Sequence, residues 1–144
     1  MVNVVESDLF PSVGYFRALA TSARSDIDRY RRLGATDIAL GLIVGDQAFR
    51  LEFEDYECTD ISPWDSSDTG AVDCWVSASP QDWDELIAHI RSRKKADSTH
   101  TLNSLVLADD RFHLGGTSQL GMDKFYRYNA TLQSFFEEAS RLDR

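Results

Sequence analysis

Cysteine is scarce. Cys58 and Cys74 are the two in 144 residues, and no Cys-x-x-Cys pair occurs. A thiolate zinc site or a disulfide framework needs more thiols than this. Each cysteine sits in a strand-like run, where a small buried thiol is the ordinary reading. The two could be neighbours across a hairpin, although a reducing compartment would leave them unbonded. The three histidines, His89, His100 and His113, are too widely spaced for HxxxH or HExxH, so no metal is expected. The acidic run Glu52, Glu54, Asp55, Glu57 and Asp60 lacks the spaced acids and central glycine of a calcium loop. No GxSxG is present, so no nucleophile elbow is expected, and Gly115-Gly116 is followed by neither GK[ST] nor GxGxxG, which makes it a weak signal for a phosphate-cradling loop. His113, beside Phe112, reads as a structural histidine. No cofactor is implied.

Cations are also few. Fifteen Lys and Arg stand against twenty-four Asp and Glu, for a formal charge of −9. A nucleic-acid binder needs a cation at each phosphate it contacts, so that class is disfavoured, as is docking on an anionic membrane surface. Long apolar runs are missing too. The longest uncharged stretches, Ser98–Ala108 and Phe112–Met122, have eleven residues each, whereas a spanning helix needs about 20. Met1–Glu6 has neither the basic flank nor the apolar run of a secretion signal. A soluble, cytoplasmic protein is expected.

What is present is enough for one core. Apolar residues make up 42% and aromatics 11%, and the length suits a single domain over residues 1–144. Pro11 suits the first turn of a helix. Val13, Phe16, Leu19 and Ala20, then Ile27, Tyr30 and Leu33, recur at helical intervals, with Gly34 as the stop. Ile38–Val44 is apolar on both faces, as an interior strand should be, and Gly45-Asp46 suits a two-residue hairpin turn. The return strand alternates Phe49, Leu51 and Phe53 against Arg50, Glu52 and Glu54. A further strand is expected over Tyr56–Ile61, a loop over Ser62–Gly70, and another strand with Val72, Cys74, Val76 and Ala78 on one face. Ser79-Pro80-Gln81-Asp82 is a helix start, and Trp83, Leu86, Ile87 and Ile90 form its buried stripe. Arg91, Arg93, Lys94 and Lys95 read as a solvated helix end. Ser98–Ala108 fits a strand or a short helix, Asp109-Asp110 a turn, and Arg111–Leu114 a short strand. The closing segment, with Phe125, Tyr128, Leu132, Phe135, Phe136 and Ala139 at helical spacing, predicts one amphipathic helix with Glu137, Glu138, Arg141 and Asp143 solvated.

The stretch Asp73-Cys74-Trp75-Val76-Ser77-Ala78-Ser79-Pro80-Gln81-Asp82-Trp83, a strand running directly into a Ser-x-x-Asp-Trp helix start, resembles the sterol carrier protein 2 family. So does Arg111–Gly116 followed by Leu120-Gly121-Met122 and Lys124–Phe136, a late strand ending in glycine before an apolar helix. The likeness is strongest over residues 72–136. Two departures stand out: Arg91–His100 is longer and more polar than the family's link, and the terminal helix is longer and more acidic at its end. The resemblance implies an α+β fold, with a five-stranded, mainly antiparallel sheet and helices packed on one face. It also implies a non-catalytic tunnel for fatty acyl chains, sterols or other apolar molecules, with Ser98–Leu107 as a short helix over it.

On that reading Leu86, Ile90, Leu105, Leu120, Met122, Phe125, Tyr128 and Leu132 line a cavity, with Trp83 supporting its wall. Periodicity alone favours ordinary core packing over a cavity. Two other readings stay open. A small cone-shaped enzyme would need Asp73, Asp37 or Tyr56 buried in the pocket as an acid or base. An interaction module, such as a homodimer, would expose a patch containing Phe125, Phe135 and Phe136.

Overall fold

The computed structural model describes residues 9–93, 101–108 and 111–142. Helix α1 spans Val13–Arg24. Its N-cap is Ser12, whose Oγ accepts the Tyr15 N–H at 3.0 Å, so Pro11 lies ahead of the cap instead of in the first turn. A serine cap satisfies a donor that proline merely lacks, and the hydrogen bond sets the boundary. Helix α2, Ile27–Leu33, ends at Gly34, whose φ of +104° suits glycine.

Strands β1, Thr36–Val44, and β2, Gln47–Asp55, form the expected hairpin, with Gly45 at φ +63° in the turn. Leu40 sits opposite Leu51 and Leu42 opposite Phe49. Strand β3 covers Glu57–Pro63, ending two residues beyond the expected limit. Strand β4, Cys74–Ala78, runs parallel to β1, with Leu42 opposite Val76. Strand β5, His113–Gly115, closes the other edge, antiparallel to β4. The sheet order is β3-β2-β1-β4-β5, a mixed sheet that is antiparallel except for the β1–β4 pair. Cys58 on β3 and Cys74 on β4 are therefore separated by two strands and are not hairpin neighbours. Both are buried free thiols.

Helix α3, Pro80–Arg93, starts as its sequence predicts: Ser79 Oγ accepts the Asp82 N–H at 3.1 Å and donates to Asp82 Oδ2 at 2.9 Å. Trp83, Leu86, Ile87 and Ile90 are all buried. The ambiguous stretch contains a helix, α4, Leu102–Ala108. Thr101 Oγ1 accepts the Ser104 N–H, and Gln133 Oε1 accepts the Leu102 N–H, so side chains take up two of the first-turn donors. Lys94, Lys95, His100, Asp109, Asp110 and Asp143 lie outside the described residues.

The closing segment departs from its reading. It is two helices, α5 over Gln119–Arg127 and α6 over Asn129–Glu137, broken at Tyr128 (φ −106°, ψ 16°), with a 3-10 turn at Glu138–Arg141. Apolar spacing survives a one-residue break, so periodicity cannot detect it. Glu138 is 1% exposed, not solvated. Its carboxylate accepts hydrogen bonds from Ser22 Oγ and Tyr30 Oη, both at 2.7 Å, and Arg141 Nε stands 3.7 Å away. Helices cover the sheet face that carries Leu40, Leu51, Phe53 and Val76, and the core forms there with Phe16, Leu19, Trp83, Phe125, Leu132 and Phe135. Trp64 covers Gly41, where a β-carbon would lie 2.5 Å from the indole ring, and Trp64 and Trp75 pair with centroids 6.3 Å apart.

Candidate functional site

The site begins with how α5 reaches the sheet. A β-carbon on Gly121 would lie 2.2 Å from the Asp73 carbonyl oxygen, so only glycine lets the first turn of α5 press against the chain entering β4. Gly121 is thus a buried contact inside α5, which starts at Gln119. Gly116 allows the same closeness from the other side, since a β-carbon there would meet Met122 Cγ at 2.8 Å. Ser118 caps the helix, its Oγ accepting the Gly121 N–H at 3.0 Å.

Between α4, β5 and α5 this leaves a groove of about 390 Å³ lined by Val106, Leu107, Leu114, Gln119, Met122 and Tyr126. Aliphatic, thioether and aromatic side chains make up all of this lining but Gln119. Leu107 is 65% exposed and Tyr126 37%. The one amide, Gln119, donates from Nε2 to Asp123 Oδ1 at 2.8 Å. These side chains offer a hydrocarbon a surface to lie on, while polar atoms make up the larger part of the hollow's accessible surface.

Of the residues singled out from sequence, Met122 lines this groove. Leu120 lies in a separate depression of about 180 Å³ with Val72, Asp73 and Lys124, and is 69% exposed. Leu86, Ile90, Leu105, Phe125 and Leu132 lie in the packed core, and Tyr128 sits half-buried against it. Trp83 is fully buried. Its Nε1 donates to the Ile43 carbonyl at 3.0 Å, and its ring meets Phe112 edge-on at 5.0 Å. Val106, Leu107, Leu114, Gln119 and Tyr126 escaped the sequence reading. Helical periodicity selects the buried stripe, and a surface groove is built from residues flanking it. Tyr126, next to the stripe residue Phe125, was the nearest signal.

The acid–base candidates stand elsewhere. Asp73 Oδ2 accepts the Ala39 N–H at 2.8 Å and lies 3.5 Å from Lys124 Nζ. It extends the β1–β4 ladder with its side chain. The Asp37 side chain is 85% exposed, and Tyr56 is exposed in the turn before β3. None of the three lines the groove. Phe125, Phe135 and Phe136 are at most 1% exposed, so the expected aromatic surface patch is core instead. Burial pushes the thiols of Cys58 and Cys74 up to about 12, which keeps both protonated and unreactive at neutral pH. Among the described residues no group of His, Cys, Asp and Glu converges as a metal site, and no helix is long and apolar enough to cross a membrane.

No family model matches the chain, and no curated protein matches it. Solved structures do. A conserved hypothetical protein from Thermus thermophilus, described as a possible sterol carrier protein, superposes at a TM-score of 0.57 with 12% identity, covering 97% of this chain and 96% of that one. The ubiquinone synthesis protein UbiJ-SCP2 matches at 0.49 with 17% identity, over 89% of each chain. Sterol carrier protein 2 from Yarrowia lipolytica, in its apo form, matches at 0.45 with 11% identity, over 94% of this chain and 95% of that one. The fold is sterol carrier protein 2-like, as the Asp73–Trp83 and Arg111–Phe136 stretches implied.

Proposed function

We propose that this protein binds an apolar small molecule, a fatty acyl chain, a sterol or a similar compound, and carries it without chemical change. The observation that supports this most directly is the groove between α4 and α5. Leu107, Leu114, Met122 and Tyr126 present apolar surface to solvent there, on a fold shared with a possible sterol carrier. Met122 lines the groove itself, while Leu86, Ile90, Leu105, Phe125 and Leu132 pack in the core behind it, with Trp83 fully buried and Tyr128 half-buried against that core. They support the groove from within, and reaching them would require those side chains to repack. Leu120 flanks the outer side of α5. The two buried free thiols fit a cytoplasmic setting.

Burying ten methylenes at about 0.8 kcal/mol each yields a gross gain of about 8 kcal/mol. Association costs offset part of this, leaving affinity on the order of micromolar. Titration of a fluorescent fatty acid tests the reading. Saturable binding is expected, weakened about tenfold or more by Met122→Glu, because a charge in an apolar hollow must be desolvated. Leu107→Glu, at the exposed mouth, changes stability little and isolates the binding effect. Absence of saturable binding by the wild-type chain would refute the proposal.

A further inference from the structure

At the opposite edge of the sheet from this groove lies a second, chemically different cleft. It is a hollow of about 330 Å³ between α1 and the edge strand β3, lined by Arg17, Ala20, Thr21, Arg24, Cys58, Thr59, Asp60 and Ile61. Its floor is buried: Ala20, Cys58 and Ile61. Its walls are polar. Arg17, Thr21 and Arg24 fall at i, i+4 and i+7, which places them on one stripe of α1, and Thr59 faces them from β3.

Two guanidiniums converge on this hollow in a chain of net charge −9. Among the described residues no carboxylate pairs with Arg17. Arg24 Nε has Glu57 at 3.9 Å, with both side chains nearly half exposed, a loose pair that solvent screens. Arg24 Nη2 donates to Thr21 Oγ1 at 3.4 Å, which leaves the Thr21 hydroxyl proton free to point into the cleft. Thr59 Oγ1 bonds the Glu52 carbonyl at a long 3.4 Å and can turn. The remaining rim acid, Asp60, is drawn toward Arg50 Nη1 at 3.6 Å. Planar guanidinium forks match the oxygens of a tetrahedral oxyanion.

We propose that this cleft binds a phosphate group, held between Arg17 and Arg24 and hydrogen-bonded by Thr21, with Glu57 as the internal competitor it displaces. The group could be borne by a free phosphate or phosphate ester, or by a lipid headgroup. The full chain is titrated with sodium phosphate against sodium chloride at matched ionic strength, following backbone amide shifts. It is titrated separately with phosphatidylcholine vesicles containing phosphatidic acid. Saturable, phosphate-specific shifts at residues 20–24 and 58–61 are expected. Arg17→Gln and Arg24→Gln each weaken binding about tenfold, the worth of a charged hydrogen bond, whereas Glu57→Gln strengthens it. All three side chains are exposed, so unchanged thermal midpoints separate lost binding from lost folding. Saturation by phosphate without vesicle binding identifies a soluble phosphate as the ligand, and arginine-dependent vesicle binding identifies the headgroup. Shifts reproduced by chloride, or undiminished in the Arg17→Gln/Arg24→Gln double variant, overturn the proposal. Fatty acid titration reports on the other edge of the sheet, so either site can fail alone.

Discussion

Tyr30 shows how a single buried polar residue ties distant parts of the chain together. Its hydroxyl donates to Glu138, as does Ser22, so α1, α2 and the C-terminal turn share one carboxylate. Burial, assisted by that carboxylate, drives the Tyr30 phenol far above its ordinary value of 10.0. The thiols of Cys58 and Cys74 rise from 9.0 to about 12, also through burial. For all three groups the folded chain holds its proton more tightly than the unfolded chain does. Their contribution is therefore complete below pH 9, where both states are protonated, and is lost as pH rises and the unfolded state releases protons first. Urea midpoints measured from neutrality upward should fall between pH 9 and pH 12. Cys58→Ala with Cys74→Ala should remove the onset near 9, and Tyr30→Phe the later part. Midpoints that stay level across this window would contradict the burial of these groups.

At the level of elements, two glycines of similar crowding make different predictions. Alanine at Gly121 would normally favour a helix by about 1 kcal/mol. Here its β-carbon would meet the Asp73 carbonyl oxygen at 2.2 Å, and backbone cannot swing aside. Gly121→Ala should destabilise the protein by about 2 kcal/mol or more and loosen α5 from β4. At Gly41 the obstacle is the Trp64 ring at 2.5 Å, a side chain that can move. Gly41→Ala should displace that indole and break its bond to the Asp68 carbonyl. A red-shifted tryptophan emission with a smaller stability loss is expected, and equal losses for both variants would contradict this account. The helix start at Ser79 and the alternation of β2 were legible beforehand because each depends on neighbours in sequence. The break at Tyr128 and the burial of Glu138 were not, because each depends on partners more than a hundred residues away or on a backbone angle that apolar spacing does not register.

For the whole molecule, the sheet separates two environments. One edge carries the apolar groove of α4, β5 and α5, and the other the arginine-walled cleft of α1 and β3. Ligand uptake at the apolar groove removes hydrocarbon from water, so calorimetry at several temperatures should give a negative heat-capacity change. Phosphate binding, dominated by charge, should instead weaken as salt rises; a salt-insensitive phosphate affinity would count against the arginine pair. By itself the sequence determined the strand alternation, the helix start at Ser79, the apolar stripes and the acidic balance, since periodicity and capping are local and composition is a sum. Only the tertiary structure decided that β4 runs parallel beside β1, that Phe125, Phe135 and Phe136 fill the core, and that Leu107 and Tyr126 border a groove. Those outcomes depend on which distant surfaces meet, and neither the spacing of residues nor their chemical type records that.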